Sequence, residues 1–247
     1  MIPNNIEIVF QNSDFVLINK PAGLNFHSEE EISTGIESDI QTTDKSTKTT
    51  AAGLVVLVKE LLQVSELYPV HRLDKMTSGL VVFALNKTTT QAFQRLFEAH
   101  QVQKLYLAIS DKKPKKKQGW IIGDMVSARR GSWKLSKDKT NPAKTQFLSF
   151  SIEPGLRLYL VKPITGKTHQ IRVALKSVGA PILGDSRYAD ANAAKQVDRG
   201  YLHAFAIQFE LNGELYQFTK EPNTGESFLK PAVITLCQSW ENPWQLF

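Results

Sequence analysis

The stretch YLHAFAIQFELNGELYQFTK, residues 201–220, restricts the fold more than any other part of the chain. Apolar and polar residues alternate on both sides of Asn212 and Gly213, and an Asn-Gly pair between such runs is the strongest short-range signal for a β-hairpin. The pattern recurs. IEIVFQNSDFVLINKPAGL sets β-branched and aromatic residues around Asn12, Ser13 and Asp14, predicting a hairpin that Pro21 and Gly23 stop. TQFLSFSIEPGLRLYLVKPITG predicts two strands about a turn at Pro154 and Gly155, and GLVVFALNK and KLYLAIS each read as one more. Helical spacing breaks in three times. Leu54, Val55, Val58, Leu61 and Leu62 predict an amphipathic helix over 51–63, and Ala92, Phe93, Leu96 and Phe97 one from Thr88 to near His100. HQIRVALKSVG predicts a third, ending at a glycine stop at Gly179. Strands outnumber helices, so the expected class is α+β, with a mixed, mostly antiparallel central sheet flanked by helices and loops.

Between the first hairpin and the first helix, residues 28–50 are Ser, Thr, acid and Lys with almost no large apolar side chain. Such a segment cannot repay its ordering entropy by burial and is expected to be a mobile loop. Elsewhere 42% apolar content excludes wholesale disorder, and 247 residues without internal repeat suit a single catalytic domain over 1–247. Cys237 is the sole cysteine, which excludes an intrachain disulfide and points to a reducing, cytoplasmic setting. No apolar run approaches the roughly 20 residues of a bilayer span.

The chemistry is narrower than the charge. Lys and Arg number 30 against 24 acids, a net +6, so a polyanion is a plausible partner. PITGKT ends like a phosphate-binding loop, but the first glycine of that pattern would fall at Val161, and nucleotide hydrolysis is set aside. Histidines 27, 71, 100, 169 and 203 lack the paired spacing of a zinc site, so no metal is implied. Two basic segments remain. The lysines of 112–117 would suit phosphates or a solvated connection. SARRGSWKLSKDKT gathers Arg129, Arg130, Lys134, Lys137 and Lys139 about Trp133, which suits nucleic acid or an ordinary charged strand. In HRLDKMTSGL, residues 71–80, Asp74 has two readings. It caps a turn near Thr77, Ser78 and Gly79, or it is a carboxylate held ionised by a neighbouring cation and thus a nucleophile or base.

HRLDKMTSGL resembles the catalytic motif of the RluA-type pseudouridine synthases, and further blocks follow in that family's order. DFVLINKPAGL is similar to its N-terminal motif, VQKLYLAI to its K-x-Y motif, and PITGKTHQIRVALKSVGAPILGDSRY to its long third motif. NPAKTQF and YLHAFAIQF also have counterparts, and the resemblance covers roughly residues 7–222. The resemblance implies the pseudouridine-synthase fold and conversion of specific uridines to pseudouridine in ribosomal or transfer RNA, without metal, nucleotide or redox cofactor. It implies Asp74 as the catalytic carboxylate, Tyr106 as the aromatic that stacks on the target base, and Arg172 as the basic residue that pairs with the aspartate. Arg72 would enter the RNA stack where the uridine leaves, and His71 and Ile171 would shape the pocket. Lys104, Arg129 and Arg130 are further expected substrate contacts. The first motif begins within about a dozen residues of Met1, so no RNA-binding S4 domain is expected before it, and the protein is expected to act as a monomer. Two rivals stay open: a non-catalytic RNA-binding or RNA-folding protein on the same fold, and a DNA-binding regulator, for which no helix-turn-helix signal exists.

Overall fold

The structure, a computed structural model, describes residues 6–30 and 50–247. Most of the predicted mobile loop, residues 31–49, lies outside them. The first hairpin is present: β1 (Glu7–Gln11) and β2 (Phe15–Lys20) pair antiparallel. The turn forms because the Asn12 side chain accepts the backbone N–H groups of Asp14 and Phe15, both at 2.9 Å. Two short strands, β3 (Glu29–Glu30) and β4 (Thr50–Ala51), pair with each other. Helix α1 (Leu54–Leu62) begins later than its apolar spacing predicts. The reason is tertiary: the backbone N–H of Gly53 donates to Ser28 Oγ and that of Leu54 to the Asn25 carbonyl, tying the chain down before the helix can start.

Next come β5 (Tyr68–Pro69), β6 (Ser78–Ala84) and α2 (Lys87–Glu98), the last capped by Asn86, whose side chain accepts the Thr89 N–H at 2.8 Å. Then follow β7 (Gln103–Ser110), β8 (Gln118–Ser127), β9 (Trp133–Leu135), β10 (Pro142–Glu153) and β11 (Leu156–Pro163). Helix α3 (Gln170–Ser177) ends as expected. Gly179 has φ +83°, its N–H bonds the Lys176 carbonyl, and Ala180 N–H bonds that of Leu175, closing a Schellman motif. After the short α4 (Ala191–Ala194), β12 (Leu202–Leu211) and β13 (Glu214–Thr219) form the Asn-Gly hairpin, with positive φ at both Asn212 and Gly213. Helix α5 (Pro231–Gln238) follows, with Pro231 at its first turn, and then a short 3-10 turn at Pro243–Leu246.

Among the described residues eleven strands form one sheet, ordered β1-β2-β6-β12-β7-β11-β10-β8-β9, with β13 on β12 and β5 on β6. All of its pairings are antiparallel except β6 with β12. That exception needs a glycine. A β-carbon at Gly79 would stand 2.3 Å from the Ala204 carbonyl oxygen, so any other residue there pushes the two strands apart. Both faces of the sheet's centre are covered, and β2 and β6 are buried along their whole length. On one face Phe15, Leu17, Leu80, Val82 and Phe209 meet Phe93 of α2. On the other, Val16, Ile18, Val81, Phe83, Leu107 and Val161 belong to the larger core. Strand β8 has no counterpart in the sequence reading, whereas β9 falls in the segment around Trp133 for which a charged strand was one of two readings. Gly119 and Gly123 interrupt the alternation of β8, and the second is required because a β-carbon there would stand 2.3 Å from the Ser136 carbonyl oxygen.

Candidate active site

The segment between β5 and β6 carries HRLD, and its shape is imposed from behind. Lys20, at the end of β2, is fully buried, and its ammonium donates to the carbonyls of Pro21, Lys75 and Thr77 at 2.9, 3.3 and 2.9 Å. Burial, reinforced by Arg199 and opposed by Asp74, lowers this lysine to about 7. One turn forms inside the loop, with Thr77 N–H on the Asp74 carbonyl at 3.0 Å. It uses the aspartate's backbone, leaving the carboxylate free of the capping role that the sequence allowed.

That carboxylate meets α3. Arg172 donates through Nη1 to Asp74 Oδ2 at 2.9 Å, and its other two nitrogens clasp Asp185, Nε to Oδ2 at 2.7 Å and Nη2 to Oδ1 at 2.8 Å. Asp185 has no exposed surface, and its Oδ1 also accepts the backbone N–H groups of Arg187 and Tyr188. The Tyr188 ring lies 4.9 Å from the guanidinium carbon. Burial works against the arginine's charge, but Asp185 and Asp74 outweigh it and hold Arg172 above its ordinary range. The Asp74 side chain is 25% exposed, and no described residue donates a hydrogen bond to its Oδ1.

Two cavities meet at this carboxylate. One, about 460 Å³, is lined by Asp74, Tyr106, Ile171, Arg172, His71 and Lys104, among others. The other, about 830 Å³, opens on the far side of Asp74 past Arg72, Lys75, Arg187 and Arg199. Arg72, Asp74, His169 and Arg172 line both. Arg72 itself is exposed and makes no hydrogen bond or ion pair among the described residues.

Strand geometry explains the wall opposite. Residues two apart on a strand share a face, so Lys104 and Tyr106 of β7 point the same way. Tyr106 is 9% exposed, and burial together with the Asp74 charge raises its phenol above the ordinary tyrosine value. Burial lowers Lys104 to about 8, and its ammonium lies 5.0 Å from the centre of the Phe97 ring. Burial and Lys104 push His71 down to about 3, so it is neutral; its Nε2 accepts the Val82 N–H at 3.0 Å.

Seven of the nine expected site residues thus line one cavity. Arg129 and Arg130 do not. They sit exposed on a single 3-10 turn between β8 and β9, and only the turn's backbone touches the site's rim: Arg187 donates to the carbonyls of Arg130 and Gly131 at 2.9 and 3.0 Å. Sequence reasoning missed Lys20, Asp185, His169 and Tyr188. Each lies within a motif quoted for the resemblance, but a lone polar letter carries no signal of burial. Among the described residues, no group of three or more His, Cys, Asp or Glu could hold a metal ion, and no helix is long and apolar enough to cross a membrane.

A family model described as RNA pseudouridylate synthase matches residues 14–177, which include the Asp74 loop, Tyr106 and Arg172. The chain belongs to this family. It is therefore a pseudouridine synthase, an isomerase whose substrate is RNA. A Haemophilus influenzae protein named as an uncharacterized RNA pseudouridine synthase is 46% identical across 94% of this chain and 95% of its own. The dual-specificity RNA pseudouridine synthase RluA of Salmonella typhi is 35% identical over 55% of this chain and 63% of its own. Among solved structures, human RNA pseudouridylate synthase domain containing 1 superposes with a TM-score of 0.70 at 22% identity, over 97% of each chain, a likeness of fold. The synthase fold expected from the motifs is the one observed.

Proposed function

We propose that this synthase flips a uridine out of ribosomal RNA, transfer RNA or both, and isomerises it with the Asp74 carboxylate as the reacting group. A uridine within a helix exposes neither its glycosidic bond nor C5 to a side chain, so it must leave the stack at a cost of a few kcal/mol. Stacking on the Tyr106 ring offsets about 1 to 3 kcal/mol of that cost. Arg72, exposed and unpaired among the described residues, enters the gap the base leaves. In the smaller cavity, His71, Lys104 and Ile171 confine the uracil while it is detached, which keeps it from diffusing away. The C1′–N1 bond breaks and a C1′–C5 bond forms, N1 gains a proton and C5 loses one. No electrons are gained or lost, so the reaction calls for no redox or nucleotide cofactor.

The observation that carries the reading is the state of Asp74: one oxygen held by Arg172 at 2.9 Å, the other without a donor among the described residues, at the junction of two cavities. Arg172, itself fixed by Asp185, holds one carboxylate oxygen in place and leaves the other facing the cavity. Arg129 and Arg130 contact phosphates farther along the RNA, and the enzyme acts as a monomer in the cytoplasm. The test uses total RNA from cells lacking this gene. Purified enzyme should generate pseudouridine at discrete positions, and Asp74→Asn should abolish the product while still binding RNA. Turnover by Asp74→Asn would sink the assignment. Product from the wild-type protein also separates this reading from a purely RNA-folding role.

A further inference from the structure

His169 has no part in the chemistry so far, yet the fold strains to hold it. It precedes α3 with φ +58° and ψ 19°, a left-handed conformation that is unfavourable for a residue with a β-carbon. Its imidazole stands between two oxygens: Nδ1 lies 2.9 Å from Tyr188 Oη, and Nε2 lies 3.9 Å from Asp74 Oδ2.

Counting protons identifies the tautomer. Tyr188 Oη accepts the backbone N–H of Trp133 at 2.9 Å. Burial raises this phenol, so it keeps its own proton, and the acceptor within reach among the described residues is His169 Nδ1. The histidine proton then sits on Nε2, the nitrogen facing Asp74. Asp74, Arg172, Arg187, Asp185 and Tyr188 are the titratable and charged groups around the ring; burial lowers the imidazole, and the opposing charges leave it lowered, hence neutral at pH 7.

We propose that His169 is a positioning residue for the Asp74 carboxylate. Its Nε2–H and the Arg172 guanidinium both address Oδ2, which turns Oδ1 toward the uridine. The proposal rests on Asp74 being the reacting group. A separation of 3.9 Å exceeds a hydrogen bond, and catalytic hydrogen bonds are commonly long in the free enzyme and tighten once substrate is bound. Through Trp133 the same phenol is held by β9, so the basic β8–β9 hairpin reaches His169 through two hydrogen bonds and Asp74 through the 3.9 Å approach of Nε2.

The experiment follows tritium released from uracil C5 in labelled total RNA from cells lacking this gene. His169→Phe should lower kcat at least tenfold while changing the apparent KM less than twofold. His169→Gln, which returns an N–H near the position of Nε2, should recover most of the loss. Spectra of wild-type protein labelled with 15N in histidine should show His169 as the Nε2–H tautomer, and Tyr188→Phe should give a mixture. Wild-type kcat in His169→Phe, no recovery in His169→Gln, or an Nδ1–H tautomer in the wild type would each overturn the proposal; the spectrum needs no variant and decides even if His169→Phe fails to fold. Asp74→Asn runs beside these as a control. If it releases tritium like the wild type, the reading of Asp74 fails and takes this proposal with it, whereas loss in Asp74→Asn with none in His169→Phe rejects the histidine's role alone.

Discussion

Two polar clusters flank the loop that bears Asp74, and they are built to opposite ends. Behind it, Lys20 directs its three donors to three carbonyls. Beside Lys20, Ser78 Oγ lies 2.7 Å from His203 Nδ1, His203 Nε2 lies 2.8 Å from the Lys220 carbonyl, and Arg199 donates to Ser78 Oγ at 2.7 Å. This cluster is closed, since each of these groups finds its partner within the protein. In front, Arg172 is just as fully paired, yet among the described residues one oxygen of Asp74 and the whole guanidinium of Arg72 are left over. A buried polar network that is fully satisfied specifies a shape. One that leaves a charged group facing a cavity has kept it for something outside the chain.

Asp185→Asn should break this contrast hardest. Asn offers the guanidinium fork one acceptor and one opposing N–H, and an Arg172 left with only the partly exposed Asp74 as counter-charge should cost about 3 kcal/mol of stability, read from urea-induced unfolding, with turnover lost as well. Lys20→Met strips three carbonyls of their donor, and we expect a loss on the order of 3 kcal/mol with a sharp fall in turnover but little change in RNA affinity. Unchanged turnover would mean that the rear cluster does not shape the Asp74 loop.

The rear cluster should also register pH. Burial chiefly, with Arg199 and Lys220 adding to it and the bond to the Lys220 carbonyl opposing, lowers His203 to about 4 against 6.5 for the free side chain. Between those values the unfolded chain binds more protons, so stability is present in full above about 6.5 and lost as pH falls toward 4, by about 3 kcal/mol in all. Unfolding free energies measured across that window should show the slope, and His203→Gln should make it shallower, the remaining slope belonging to His71 and His169, which burial also lowers. The smallest effect belongs to the rim. Arg129→Ala with Arg130→Ala should leave kcat unchanged and reduce the slope of log affinity against log salt by roughly 1.4 to 1.8, about 0.7 to 0.9 for each phosphate no longer neutralised. An unaltered slope would remove these arginines from the RNA surface.

Hairpins and helices were legible because their signals are local. The alternation around Asn212-Gly213, the polar turn at Asn12 and the glycine stop at Gly179 each spell out backbone geometry within a few residues. Where distant contacts overrode local pattern the reading slipped: α1 starts late because Ser28 and Asn25 hold the preceding backbone, and β8 hid behind two glycines. The site divided along the same line. Asp74, Tyr106 and Arg172 were legible as letters in motifs, whereas the buried Asp185, the lysine behind the loop and the strained His169 were not.

The sequence alone determined the strand-rich α+β class and the hairpin turns, because period and turn chemistry are written within a span of a dozen residues; the residues that came to line the smaller cavity were carried by motifs that resemble a family's, not by period. Tertiary structure alone decided which oxygen of Asp74 is held and which is left free. Arg172 lies 98 positions away along the chain, and only the registry of the sheet and the seat of α3 bring its guanidinium to 2.9 Å from that carboxylate.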